Sequence, residues 1–490
     1  MMKYVLSIDQ STSGTKALLF DSAGDLIGRS DLPHRQIILN DGWVEHDPNE
    51  IYQNVIGVVK DVIEKSDINK DNIVCAGVSN QRETVMAWDN QTGEPVYNAI
   101  VWQCARAEDI CERLKDSAET VRMATGMNLS PYFSAAKLSW ILENVDGVRE
   151  KARRGEINCG TMDSWVVYKL TKGASFKTDY SNASRTQLFN ISTLSWDDEV
   201  RKIFGVQDVR LPEVCDANAD YGMTDFEGFL NAPIPIHGVL GDSHGALCGH
   251  GCREPGMVKA TYGTGTSVMM NIGEKPVFSK NGLVTSLAWG IDGKVNYVLE
   301  GNINYSGAVM KWVVEDLKLI DSPKESGPLA MQANPEDTTY LVPAFTGLGA
   351  PYWASRAKAM ICGMTRNTGK AEIVRAAEEC IAYQITDILR IMSEEAGVDI
   401  QELRVDGGAT KDQYLMQFQS DMLGIPVRIP SMNELSGVGP AYLAGIAMGV
   451  YDASIFDRME RTEYTPKMSD ETRDKRYSGW KAAVGLVLSK

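Results

Sequence analysis

Two short stretches, half a chain apart, constrain this sequence more than anything else in it. Residues 4–20 read YVLSIDQSTSGTKALLF and residues 257–271 read MVKATYGTGTSVMMN. Each is an apolar strand, a turn of small and hydroxylated residues, and a second apolar strand. In the first, Val5, Leu6 and Ile8 lead to a single carboxylate, Asp9, and the turn holds Ser11, Thr12, Ser13, Gly14 and Thr15. In the second, Gly263, Thr264 and Gly265 occupy the turn. Such turns bring backbone amides and hydroxyls close to an anion, and a carboxylate at a strand end can hold a hydrated cation. One hairpin of this kind is equally an ordinary surface turn. Two matched copies read as an internal repeat that would clamp a polyphosphate from both sides.

A repeat of that size needs room for two cores. The chain has 490 residues, more than one hydrophobic core usually serves, so two domains are expected, 1–248 and 249–490, with a cleft between them. Lys and Arg number 49 against 65 Asp and Glu, a net charge of −16, which disfavours nucleic acid or an anionic membrane as partner. A small anion can still be held locally. The N-terminus enters the first strand without a basic, apolar and small-residue leader, and the stretch 437–451 is interrupted by Pro440 and too short to span a bilayer. Nine scattered cysteines suit reduced thiols, and a cytoplasmic location is expected. Cys248, His250 and Cys252 form one cluster, but no second pair follows at zinc spacing, and Gly245, Gly249 and Gly251 there read as close backbone packing.

Strands and helices alternate along the rest. Asp47 and Pro48 open a helix over 48–63 in which Ile51, Val55, Val58, Val59 and Val62 recur at helical spacing. A strand over 73–78 runs into Ser79-Asn80-Gln81-Arg82-Glu83-Thr84, a polar run at a strand end, where α/β proteins place ligand contacts. Trp102 ends a further strand, as either a core side chain or part of that edge. Residues 132–144 start a helix with Lys137 and Trp140 one turn apart, 160–170 is strand or helix, and 178–185 reads as a small-residue loop. A strand over 233–241 delivers Asp242, Ser243 and His244 between glycines. Asp242 is the leading acid/base candidate, with capping of the next helix as the alternative role. Helices are expected over 307–320, 371–394 and 414–423, and Asp406-Gly407-Gly408-Ala409 joins a strand to a helix, where bare backbone can carry a flat ring or simply turn. GMTRNTGK at 363–370 misses the P-loop pattern, and no GxGxxG follows a strand.

Together these stretches resemble the FGGY carbohydrate kinase family. The likeness runs through GWVEHDP at 42–48, NQRET at 80–84, NAIVWQC at 98–104, the helix start around Lys137 and Trp140, TYGTG at 261–265, PAFTGLGAPYW at 343–353, VDGGA at 405–409 and LMQFQSD at 415–421. The resemblance implies an α/β fold of two actin-like, ribonuclease-H-like domains closing on ATP and substrate. It implies Mg2+ near Asp9 and Asp242, and phosphate contacts from Ser11, Thr12, Ser13, Thr15, Thr264 and Gly265. Gly307, Lys311, Gly408 and Asp412 would lie near the adenosine, and Arg82, Glu83, Trp102, Tyr132 and Asp242 would hold a small polyol or sugar. Ser243 and Ser267 replace a glutamine and a phenylalanine expected beside glycerol in the family's glycerol-phosphorylating members. Lys311 and Asp412 stand where glutamine and asparagine are usual there, and 227–232 reads EGFLNA where a basic loop binds fructose 1,6-bisphosphate in some members. The implied reaction is phosphoryl transfer to a terminal hydroxyl of glycerol or a four- to five-carbon polyol, with a pentulose, as in xylulokinase-like members, as the alternative. A homodimer is also implied. A non-catalytic nucleotide-gated protein is the rival reading, and a chaperone ATPase would need a peptide-binding domain for which no segment is left.

Overall fold

The hairpin at the N-terminus forms as read. In the computed structural model, which describes residues 3–39 and 42–489, β1 (Tyr4–Gln10) pairs antiparallel with β2 (Gly14–Phe20), and β2 with β3 (Leu26–Pro33). On its other edge β1 runs parallel to β4 (Ile73–Asn80). With β5 (Met223–Thr224) and β6 (Ile234–Gly241) they make a six-stranded sheet in the order β5-β6-β4-β1-β2-β3. The second hairpin, β7 (Val258–Tyr262) and β8 (Thr266–Gly273), is built the same way: antiparallel to each other, with β7 parallel to a later strand, β11 (Leu403–Gly407). Its sheet is seven-stranded, β9-β10-β8-β7-β11-β12-β13, where β9 is Val284–Ile291, β10 Lys294–Ile303, β12 Val427–Pro430 and β13 Arg461–Tyr464. The repeat seen in the sequence is therefore a repeat of topology.

Helices cover these sheets for local reasons. Asp47 accepts from the Asn49 and Glu50 amides and Pro48 sits in the first turn of α1 (Pro48–Lys65), whose buried Ile51, Val55, Val58 and Val62 pack on β2 and β3. Further along lie α2 (Ser134–Asn144), α3 (Asp242–Gly249), α4 (Gly307–Glu315), α5 (Lys370–Ala396), α6 (Gln413–Leu423) and α7 (Leu435–Ala447). Val374, Ile381, Ile385 and Ile388 of α5 fill the core of the second sheet, with Val405 and Met416.

Between the two sheets runs a separate apolar cluster, in which Val5, Leu18 and Leu240 meet Met269 and Val298 through Ala246 and Leu247 of α3 and Val438, Ala441 and Ala444 of α7. The two helices pack backbone to backbone: a Cβ on Gly439 would sit 2.2 Å from the Gly245 carbonyl oxygen, and one on Gly249 2.4 Å from that of Leu435. The close packing expected of Gly245 and Gly249 is thus met. The boundary expected at 248/249 falls between the strands of the two sheets, yet α7 returns from the second half to pack on β1, β4 and β6.

Three segments differ from the expectations. Residues 178–185 are not a loop, because Asp179 accepts from the Ser181 and Asn182 amides and caps a short helix, Tyr180–Ser184. Residues 160–170 divide into the end of a strand, Ile157–Thr161, and a helix, Met162–Leu170. The hairpin β9–β10 had no assignment at all. Cys248, His250 and Cys252 are buried, burial pushes both thiols up to about 12, and no group of three or more His, Cys, Asp or Glu that could hold a metal occurs among the described residues. Nor is any helix there long and apolar enough to cross a membrane.

Candidate active site

In both hairpins the turn follows directly on a strand end. In the first, the Ser11 amide and hydroxyl both donate to the Gly14 carbonyl, at 2.9 and 3.0 Å, closing the turn. Thr12 Oγ1 accepts from Trp102 Nε1 at 2.9 Å, and the buried Thr15 hydroxyl has no partner. In the second turn the Gly263 amide donates to the Gly265 carbonyl at 2.8 Å. The Ser306 and Ala308 amides donate to the Thr264 carbonyl at 3.1 and 3.0 Å, which docks the turn against the start of α4. Gly307 is required there, since a Cβ would lie 2.7 Å from the Gly263 carbonyl oxygen.

Asp9 is 4% exposed; Oδ2 lies 3.5 Å from Lys16 Nζ, and Oδ1 has no hydrogen-bond partner. Burial raises its pKa against the opposing pull of Lys16. A buried carboxylate oxygen left open at the end of a strand, next to the first turn, fits a Mg2+ ion, which takes one or two protein carboxylates and completes its shell with phosphate and water.

Asp242 is the first residue of α3, but Gly241, not Asp242, is the helix N-cap. Asp242 Oδ1 accepts from the Ser243 amide at 2.6 Å and lies 3.4 Å from Arg82 Nε. Its side chain keeps 31% of its surface exposed, whereas the charged groups around it are closed off. Burial raises the Asp242 pKa, Arg82 opposes this, and Glu83 and Asp9 push it up again. A carboxylate so placed can accept a proton at neutral pH.

Arg82 and Glu83 were expected to present their charges to substrate hydroxyls. The terminal nitrogens of Arg82 are taken by a residue that sequence reasoning passed over, Glu300 on β10, at 2.8 and 3.0 Å, which leaves Nε for that role. Arg185, a second unforeseen residue, donates from Nε to Glu83 Oε1 at 2.6 Å and lies 3.1 Å from Glu300 Oε2. All four side chains are at most 6% exposed. Burial alone would raise Glu300, but the Arg185 and Arg82 guanidiniums outweigh it and hold the carboxyl well below its usual range. This buried network crosses from one sheet to the other and leaves Arg82 Nε facing Glu83 and Asp242, at 3.7 and 3.4 Å. Two signals marked the missed residues: a lone Glu directly after the apolar run 297–299, and the Asp179 cap that delivers Arg185.

Trp102 lies past the short strand Ala99–Ile100, half-buried, and its ring packs against Tyr132 at 5.4 Å between centroids. It is an edge residue and not core. Tyr132 is held from behind by Lys137, which is buried and donates to the carbonyls of Pro131, Tyr132 at 2.7 Å and Phe133 at 3.3 Å. Ser243 follows Asp242 on α3, and Ser267 stands on β8 opposite Asn302 of β10.

The expected adenosine residues divide. A Cβ on Gly408 would meet nothing within 4 Å, so the backbone after β11 faces open space, and Gly307 abuts the second turn. Lys311 is exposed and lies 3.6 Å from Glu315 of its own helix. Asp412 is the N-cap of α6: Oδ1 accepts from the Leu415 amide at 3.0 Å and Oδ2 is 3.4 Å from the Ser326 hydroxyl. Its carboxylate thus has a structural partner on each oxygen.

Comparison with known proteins follows the same division of the chain. The family model for the N-terminal domain of the FGGY family of carbohydrate kinases matches residues 4–249, and that for its C-terminal domain matches 258–448. A glycerol kinase of Caldanaerobacter subterraneus subsp. tengcongensis is 47% identical over 495 aligned residues, covering 100% of this chain and 99% of its own. Glycerol kinase 2 of Thermotoga maritima is 47% identical, covering 99% of each. Among solved structures, Plasmodium falciparum glycerol kinase with ADP superposes with a TM-score of 0.93 at 36% identity, over 99% of this chain and 98% of that one. A gluconate kinase from Lactobacillus acidophilus superposes at 0.89 with 20% identity, a likeness of fold alone. The two sheets are thus the two actin-like domains of that fold, and the chain belongs to the FGGY family of carbohydrate kinases.

Proposed function

We propose that this protein transfers the γ-phosphoryl group of ATP to a terminal hydroxyl of a small polyol, glycerol or a four- to five-carbon relative. The observation that carries the reading is the juxtaposition of Asp242, partly exposed and raised in pKa, with the buried Arg82 that braces it and with the charge of Asp9 at the head of the first turn. Full-length relatives named glycerol kinase support the polyol class.

In this reading Trp102 and Tyr132 form an apolar wall for the carbon chain, while Glu83 and Arg82 Nε hold its hydroxyls by charge-assisted hydrogen bonds. Asp242 takes the proton of the attacking hydroxyl. The amides and hydroxyls of 11–15 and 264–265 neutralise the phosphates, and positioning does most of the catalysis. Asp9, with Asp242 nearby, would hold Mg2+, which would supply neutralisation of phosphate charge. Gly307 and Gly408 offer backbone to the nucleoside, with Lys311 and Asp412 at its margin. The FGGY domains are divided in this reading at 248/249. A homodimer in the cytoplasm belongs to the same proposal, its compartment supported by nine cysteines that are all unpaired.

The test is a coupled assay of ADP release with polyols. Wild type releases ADP only with a polyol present, and Asp242→Asn, which keeps the side-chain shape, lowers kcat by about 10²-fold or more. An unchanged kcat in that variant, or no ADP release with any polyol, refutes the reading.

A further inference from the structure

We propose that Ser267 and Asn302 form a subsite for one more hydroxyl than glycerol carries, so that a four-carbon polyol is the preferred acceptor. The proposal rests on the polyol kinase reading above and names its substrate.

Strand register puts the two residues together. Ser267 of β8 stands opposite Thr261 of β7 on one side and Asn302 of β10 on the other, so the three form one row across the sheet. Side chains alternate along a strand. Ala260, Tyr262, Val268 and Ile303 enter the core of the second domain, so the row belongs to the opposite face, with Met269 and Glu300. That face is turned toward the first sheet and Asp242. The row carries a hydroxyl, a hydroxyl and an amide, and no apolar side chain.

Two of its three polar groups await a partner, since Thr261 Oγ1 already accepts from Lys259 Nζ at 3.0 Å. The Ser267 hydroxyl oxygen is buried and makes no hydrogen bond, and nearly all buried polar atoms in native proteins have one. Asn302 is exposed, and among the described residues its one side-chain hydrogen bond is Nδ2 to Glu300 Oε1 at 3.4 Å, a long bond that leaves the amide available. The same Oε1 accepts from Arg82 at 3.0 Å, and Arg82 Nε reaches to 3.4 Å from Asp242 Oδ1. A continuous polar path thus leads from the expected base to the row. A three-carbon substrate anchored at Asp242, Glu83 and Arg82 uses its three hydroxyls there. A further CHOH unit would lie toward Ser267 and Asn302, whose neighbouring positions are about 5 Å apart and can share one hydroxyl as donor and acceptor. One shared handle selects one extra carbon and not two.

The experiment measures kcat/KM for glycerol, erythritol, both threitols and xylitol in wild type, Ser267→Ala, Asn302→Ala and Ser267→Phe. At least one tetritol is expected to exceed glycerol and xylitol by about 10-fold in wild type, since a site built to bond a hydroxyl discriminates strongly against its loss. Each alanine variant lowers the tetritol-to-glycerol ratio by about 10-fold, chiefly through KM, and Ser267→Phe reverses the preference. Asn302 is exposed and Ser267→Ala removes one atom, so both variants keep the fold. Glycerol preferred in wild type, or a ratio unmoved by both alanine variants, overturns the subsite and leaves the kinase reading intact. ADP release with none of these polyols refutes the kinase reading and the subsite with it.

Discussion

Glu300→Gln is the most informative single change. Glu300 is fully buried and receives three contacts: two from Arg82 at 2.8 and 3.0 Å and one from Arg185 at 3.1 Å. A glutamine of the same shape keeps one acceptor oxygen. Its amide nitrogen must then face a guanidinium nitrogen, so at least one of the three contacts becomes donor against donor. Breaking a buried ion pair from one side costs about 3–5 kcal/mol, because the remaining charge stays buried without its partner. Urea unfolding, followed by tryptophan fluorescence, would show a loss of that order. The change also has a catalytic sign. Released from Glu300, Arg82 turns to its next carboxylate, Asp242, already 3.4 Å from Nε. A closer cation lowers the Asp242 pKa and weakens it as a base, so kcat is expected to fall by about 10-fold or more and its acid limb to move to lower pH. A variant that loses less than about 1 kcal/mol, with an unmoved acid limb, would refute both steps.

Three further predictions are independent of it. Because burial raises the Asp242 pKa above 3.8, the acid limb of kcat lies above the ordinary aspartate range, activity rising as pH climbs through it; a limb at or below pH 3.8 in a pH–rate profile would contradict this. Trp102→Phe deletes the 2.9 Å bond to Thr12 Oγ1 and should raise KM for polyol by roughly 2- to 10-fold, the worth of one hydrogen bond, while the fold survives by circular dichroism. Gly439→Ala drives a Cβ to within 2.2 Å of the Gly245 carbonyl oxygen, and overpacking there should cost about 1–3 kcal/mol, seen as a lowered Tm.

Local chemistry was enough to decide the elements. Asp47 with Pro48 opens α1, the apolar run to Asp9 forms β1, and the two Gly, Ser and Thr turns form the hairpins that head each domain. These depend on spacing and turn chemistry within about ten residues, which a sequence displays directly. The carboxylate of Asp242 and the polar run at Arg82 were equally visible, because both sit at strand ends next to glycine or small residues. The close approach of α3 and α7 was half visible: glycines 245 and 249 announced a tight contact, but not with a helix almost two hundred residues later.

What only the tertiary structure decided is which charges meet. Glu300, 218 residues away, takes the terminal nitrogens of Arg82, and Arg185 joins Glu83 to the same group. Nothing local reports such a pairing, since a glutamate directly after an apolar run is unfavourable until a distant strand brings it a guanidinium. The row of Thr261, Ser267 and Asn302 has the same origin: three unremarkable polar residues become one surface only through the register of three strands. Sequence by itself determined the repeat, its two small-residue turns and the strand-end position of the expected base, because short-range geometry governs them. Cross-sheet pairing determined the electrostatics around that base, because charges act through space and not along the chain.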